Sequence, residues 1–146
     1  MKKMLVTLIA FSLIFPIFAQ GADRIIGVWF NGDKSSKIEI SQNEAGKFEG
    51  HIVWLKEPND AAGEPKTDHN NPQAKLAQRP LLGLQVLSEL DYKGKGKYDD
   101  GKIYDPQSGK TYSAKAEMVN NNTLALRGYI GISFAGRTVT WTRTTK

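Results

Sequence analysis

Apolar and polar residues alternate in short runs along most of this chain, and Gly, Asn, Asp and Pro bound the runs. A period of two puts neighbouring side chains on opposite faces of an extended strand, so the pattern predicts antiparallel β-structure. Eight strands are expected, near Ile25–Phe30, Lys37–Ser41, Phe48–Leu55, Leu84–Leu90, Tyr98–Tyr104, Thr111–Val119, Thr123–Ile130 and Arg137–Arg143. Hairpin chemistry joins most of them: Asn31-Gly32-Asp33, Asn43 to Gly46, the Lys-Gly repeat from Lys93 to Lys97, Asp105 to Gly109, and Asn120 to Asn122. Eight short strands in hairpin order predict an all-β, up-and-down antiparallel barrel, because closure removes exposed sheet edges. At that strand number the interior is either filled by side chains or holds one small ligand.

One connection breaks the pattern. From Lys56 to Arg79 apolar content almost vanishes, and the segment far exceeds the usual hairpin loop of about 2 to 5 residues. Within it, Asn71 followed by Pro72 suits an N-cap and a first helical position, while Pro80 stops helical continuation. One short helix is expected over Pro72–Gln78, and Leu81, Leu82 and Leu84 then return the chain to the core. A long ordered crossover beside a barrel mouth is either a lid that carries function or a plain plug.

The chain begins MKKMLVTLIAFSLIFPIFAQGA: two lysines, an apolar run from Met4 to Phe18, then small residues. The run is shorter than the roughly 20 apolar residues that span a bilayer, so residues 1–22 read as a secretory signal peptide cleaved after Ala19 or Ala22. Residues 23–146 then form a single domain, expected in the periplasm or secreted, with no stable membrane insertion after cleavage. Export permits disulfides, yet the chain has no cysteine, so packing and hydrogen bonds must hold the fold. Net charge is +5 overall and +3 without Lys2 and Lys3, too mild to suggest a nucleic-acid partner. Its distribution says more: beyond Glu117 there is no carboxylate side chain, whereas Arg127, Arg137, Arg143 and Lys146 remain.

Candidate chemistry is sparse. His51 and His69 are the only histidines, and zinc would need both plus carboxylates, so no metal and no cofactor is expected. Asp68, His69, Asn70, Asn71 and Arg79 gather in the long connection, but no Ser or Cys nucleophile motif accompanies them. Arg127 and Tyr129 share a face of one strand and would jointly suit a carboxylate or phosphate if turned inward. Leu124 and Leu126 occupy the opposite face, which argues for Arg127 outside. Arg137 shares parity with Val139 and Trp141 and is the better contact for an anion.

Two resemblances add to this reading. Gly27-Val28-Trp29 on the first strand and Trp141-Thr142-Arg143 on the last are similar to the pairing in lipocalins and related calycin barrels. There, the Gly-x-Trp tryptophan packs against an arginine from the final strand, and the resemblance assigns barrel closure to Gly27, Trp29, Trp141 and Arg143. The stretches IIGVWF, GHIVWLKEP, TDHNNP, RPLLGL, IYDPQSGKTY and LRGYIGISFAGRTVTWTR resemble those of an exported bacterial domain-of-unknown-function family, DUF2147. That resemblance implies a periplasmic or secreted calycin-like barrel and brings no catalytic residues with it.

The reading that joins these points is an exported binding protein of the bacterial envelope, monomeric or weakly dimeric, for a small apolar or anionic amphipathic molecule. Trp54, Phe48 and Tyr104 would supply apolar wall, with Arg137 and the Asp68–Asn71 loop at the mouth. Two rivals stay open. An interaction module for an envelope protein or glycan would have a filled barrel, and a hydrolase-type enzyme would need Asp68 and His69, with Asp105 or Arg79, to converge in one cleft.

Overall fold

A computed structural model describes residues 21–146, so the expected signal peptide lies outside the described residues apart from Gly21 and Ala22. The alternating runs form eight strands: β1 (Gly27–Phe30), β2 (Ser36–Gln42), β3 (Phe48–Leu55), β4 (Gln85–Gly94), β5 (Lys97–Asp105), β6 (Lys110–Asn120), β7 (Thr123–Tyr129) and β8 (Arg137–Thr144). Each pairs antiparallel with its sequence neighbour, and β8 returns to β1 to close the barrel. Every edge is thereby paired, as the alternation required.

The short helix forms in the long connection but is smaller than expected. α1 spans Ala74–Ala77, and Asn71 does not cap it; instead Asn71 Oδ1 accepts the Gln73 N–H at 2.9 Å in a local turn that delays helix entry past Pro72.

The barrel has two unlike halves. At the end where β1 begins, Trp29, Ile40, Phe48, Leu87, Leu90, Tyr98 and Leu124 are all fully or almost fully buried and fill the interior. Phe48 meets Tyr98 edge to face with ring centroids 5.4 Å apart. A 3-10 turn at Ala22–Ile25 plugs this end, with Ile25 buried and the Tyr98 hydroxyl donating to the Ala22 carbonyl at 2.7 Å.

Trp29 and Arg143 lock that floor. The indole Nε1 donates to the Ile25 carbonyl at 2.8 Å, and the Arg143 guanidinium lies 4.1 Å from the indole centroid. Arg143 donates to the carbonyls of Asn121 at 2.6 Å, Ile26 at 2.8 Å and Arg24. Gly27 makes the arrangement feasible. Its φ is +134°, and a Cβ there would stand 2.6 Å from Arg143 Nη1.

Candidate functional site

At the opposite end the interior stays open. A cavity of about 780 Å³ occupies it. Ile38, Ile52, Ile103, Leu126 and Val139 supply apolar wall, and Trp141, which also belongs to the packed core, forms part of its lining. Gly128, inward on β7, leaves space where a side chain would otherwise project. The mouth is polar: Asn31, Asp33 and Ser36 on one side, Asp105 and Gln107 on another, and Arg137 at the start of β8.

Charge at the mouth is unevenly committed. Asp33 accepts from the Ser35 hydroxyl at 2.6 Å and the Ser35 N–H at 3.0 Å, bonds that hold its carboxyl below the usual range. Asp105 accepts from the Gln107 N–H at 3.0 Å and the Ser108 hydroxyl at 2.6 Å. Both acids are thus bound up in their own turns. The exposed Arg137 forms no side-chain hydrogen bond or ion pair among the described residues, which leaves its guanidinium available to an anion.

The long connection folds over this end and is anchored by a buried carboxylate. Asp68 is 0% exposed and has four donors: Arg79 Nε and Nη2, each at 3.0 Å, Asn71 Nδ2 at 2.9 Å and the Tyr104 hydroxyl at 2.5 Å. A charge so placed is tolerated only when its oxygens are satisfied, as they are here. Burial and the Asp68 carboxylate both raise the Tyr104 hydroxyl above its ordinary pKa. Asn70 Nδ2 ties the loop to the β5–β6 turn through the carbonyls of Pro106 at 3.2 Å and Gln107 at 2.9 Å.

Several residues expected to line the site do not. Phe48 faces inward but belongs to the filled half. Trp54 sits outside because the β2–β3 register slips after Lys37: Lys37 pairs with Trp54 while Ile38 pairs with Ile52, so Val53 is extra and the alternation inverts. Trp54 packs edge to face on Phe30 at 6.0 Å, with the Lys37 ammonium 5.4 Å from its ring. Arg127 and Tyr129 also lie outside, opposite in parity to Leu124, Leu126 and Gly128. Arg127 donates to the carbonyls of Ser133 at 2.6 Å and Phe134 at 2.9 Å and to the Thr138 hydroxyl at 2.9 Å.

The loop residues are divided as well. Asn71 and Arg79 border a smaller hollow of about 250 Å³ beside α1, and Tyr104 borders both this hollow and the barrel cavity. Exposed His69 approaches the Thr67 carbonyl at 3.3 Å, and none of Asp68's bonds goes to it, so the convergence of Asp68 and His69 that a hydrolase would need is not assembled. Among the described residues no three His, Cys, Asp or Glu side chains cluster as a metal site would require. The wall residues Ile38, Ile52, Ile103, Tyr112, Leu126 and Val139 were missing from the sequence expectation. Parity with Trp141, carried strand to strand through the pairing, identifies Leu126 and Val139 among them.

A closed eight-stranded barrel, floored by a tryptophan under an arginine and open at the other end, is a lipocalin-like architecture. A solved structure of protein HP1028 from the human pathogen Helicobacter pylori, described as belonging to the lipocalin family, is 30% identical, with 83% of each chain covered and a TM-score of 0.72. The chain belongs to the bacterial family described as "uncharacterized protein conserved in bacteria (DUF2147)", which matches it over residues 27–143. No curated protein matches it.

Proposed function

We propose that this protein is an exported carrier in the bacterial envelope, monomeric or weakly dimeric, which binds one small amphipathic molecule with an apolar body and an anionic head. The observation that carries the reading is the cavity: about 780 Å³, apolar in depth, with uncommitted Arg137 at its rim. That volume falls within the roughly 300–1,000 Å³ of small-molecule sites. Burial of apolar surface supplies affinity, and a charge-assisted hydrogen bond from Arg137 sets orientation. The rival interaction module called for a filled interior, and the open half counts against it. The N-terminal pattern of charge, apolar run and small residues supports export.

Native mass spectrometry of protein purified from its own compartment, followed by extraction, tests this. A stoichiometric small molecule is expected, and an authentic ligand at about 100 times its Kd should stabilise the fold by about 2.7 kcal/mol. Arg137→Gln should weaken an anionic amphiphile about tenfold or more and leave its neutral alcohol analogue unchanged. Empty protein whose melting temperature is unmoved by fatty acids, isoprenoids and phospholipids would sink the carrier reading.

A further inference from the structure

The β7–β8 connection departs from the burial logic of the rest of the barrel. Its large apolar side chains point into solvent: Ile130 is 69% exposed, Ile132 68% and Phe134 90%. Together they expose on the order of 400 Å² of apolar surface, near the largest patch on an ordinary monomer. A loose loop would fold such groups back onto the barrel. Here Arg127 prevents that, because its guanidinium grips the carbonyls of Ser133 and Phe134 and the hydroxyl of Thr138. Close backbone contact at Gly136, where a Cβ would lie 2.5 Å from the Gly128 carbonyl oxygen, fixes the loop's other root. At the apex, a Cβ on Gly131 would meet nothing within 4 Å. The apolar tip is therefore held outward by construction.

Its position and charge point to one occupant. The loop stands at the open end, next to cavity-lining Gly128 and Arg137. Leu82, where the long connection returns to the same end, is 55% exposed. From Met118 to Lys146 there is no carboxylate side chain, so the loop and the strand that follows it carry only positive charge. An apolar tip flanked by arginines suits the interface of an anionic bilayer, where burial of a few side chains and attraction to headgroups act together. Against a second copy, the patch is about half of the roughly 800 Å² per partner in a standard interface.

We propose that the β7–β8 loop docks this protein peripherally on an anionic lipid bilayer, Ile130, Ile132 and Phe134 entering the interface with the cavity mouth turned toward it. The proposal goes beyond the carrier reading and is tested apart from it. Co-flotation of the purified protein is measured with vesicles of phosphatidylcholine alone and of phosphatidylcholine mixed with phosphatidylglycerol. Wild type should partition at least about tenfold more strongly to the mixed vesicles, less so at high salt. The double variant Ile132→Ser/Phe134→Ser should lose about tenfold or more of that partitioning while melting with wild type, since both side chains are already in water. Equal flotation of variant and wild type would overturn the proposal, as would failure of wild type to bind mixed vesicles. So would a dimer, seen by sedimentation velocity, that the double variant abolishes without any vesicle binding. Uptake of a fluorescent fatty-acid analogue separates the two readings: the double variant should retain it, because neither residue lines the cavity. If wild type floats but takes up no analogue, the carrier reading fails and the docking surface stands.

Discussion

Arg143→Met keeps an unbranched stem against Trp29 while removing the guanidinium that joins three backbone segments. The lost contacts are the hydrogen bonds to Arg24, Ile26 and Asn121 and the stacking 4.1 Å from the indole centroid. Bonds from a charged donor are worth about 1.5–3 kcal/mol each when buried. These acceptors lie at the barrel's end, where water replaces the donor, so about 0.5–1 kcal/mol each is appropriate. Cation–π stacking at a partly desolvated site adds about 1 kcal/mol, for a total near 3 kcal/mol. With an unfolding entropy of about 2.1 cal/mol/K per residue over about 124 residues, the midpoint should fall by roughly 10–12 °C. Thermal and urea unfolding, with the m-value unchanged, measure it. Arg143→Lys keeps the charge but has no planar fork for three diverging carbonyls, so it should recover less than half. A fall under about 3 °C for the Met variant would refute the view that this guanidinium is the clasp of the closed end.

Three further outcomes are expected. Gly128→Leu projects into the cavity, where a Cβ would meet Ile103 at 3.4 Å and Tyr112 at 3.6 Å; calorimetry should show ligand binding lost with stability changed by no more than about 1 kcal/mol. Burial raises Tyr98 from 10.0 to about 12, so the folded state holds this proton more tightly than the unfolded chain. Its contribution is intact below pH 10 and is lost by about 2 kcal/mol as pH climbs toward 12, a slope that denaturant titration should find reduced in Tyr98→Phe. Tyr104, also raised, acts in the same sense. If the protein is exported as proposed, its mature form should begin at Gln20, because cleavage after Ala22 would remove the carbonyl that accepts the Tyr98 hydroxyl; intact-mass measurement reads this directly, and a start at Asp23 would contradict it.

Strand number and order were legible because one period governs nearly every run, whereas the pairing of Trp29 with Arg143 came from the resemblance to lipocalin barrels, since nothing in the pattern alone joins the first strand to the last. Trp54 was not, since one extra residue at Val53 inverts the parity and nothing in the string GHIVWL marks it. Arg127 was half legible: Leu124 and Leu126 placed it outside, but its grip on a loop six residues onward needs the backbone path of that loop. Asp68 was opaque for another reason. An acid among Thr, His and Asn reads as solvated, and its burial depends on Tyr104, which lies 36 residues away and brings a donor no local pattern announces. The boundary between the filled and open halves also escaped the sequence, because parity assigns a side but not a height within the barrel.

The three tryptophans occupy three unlike places: Trp29 wholly buried at the floor, Trp54 on the outer face at 37% exposure, and Trp141 in the cavity wall. Nature has thereby installed one intrinsic fluorophore that a cavity occupant can touch, beside two that it cannot. With Trp54→Phe, emission reduces to a constant signal from the floor and a variable one from Trp141, so occupancy can be followed optically, without label, on the unmodified interior.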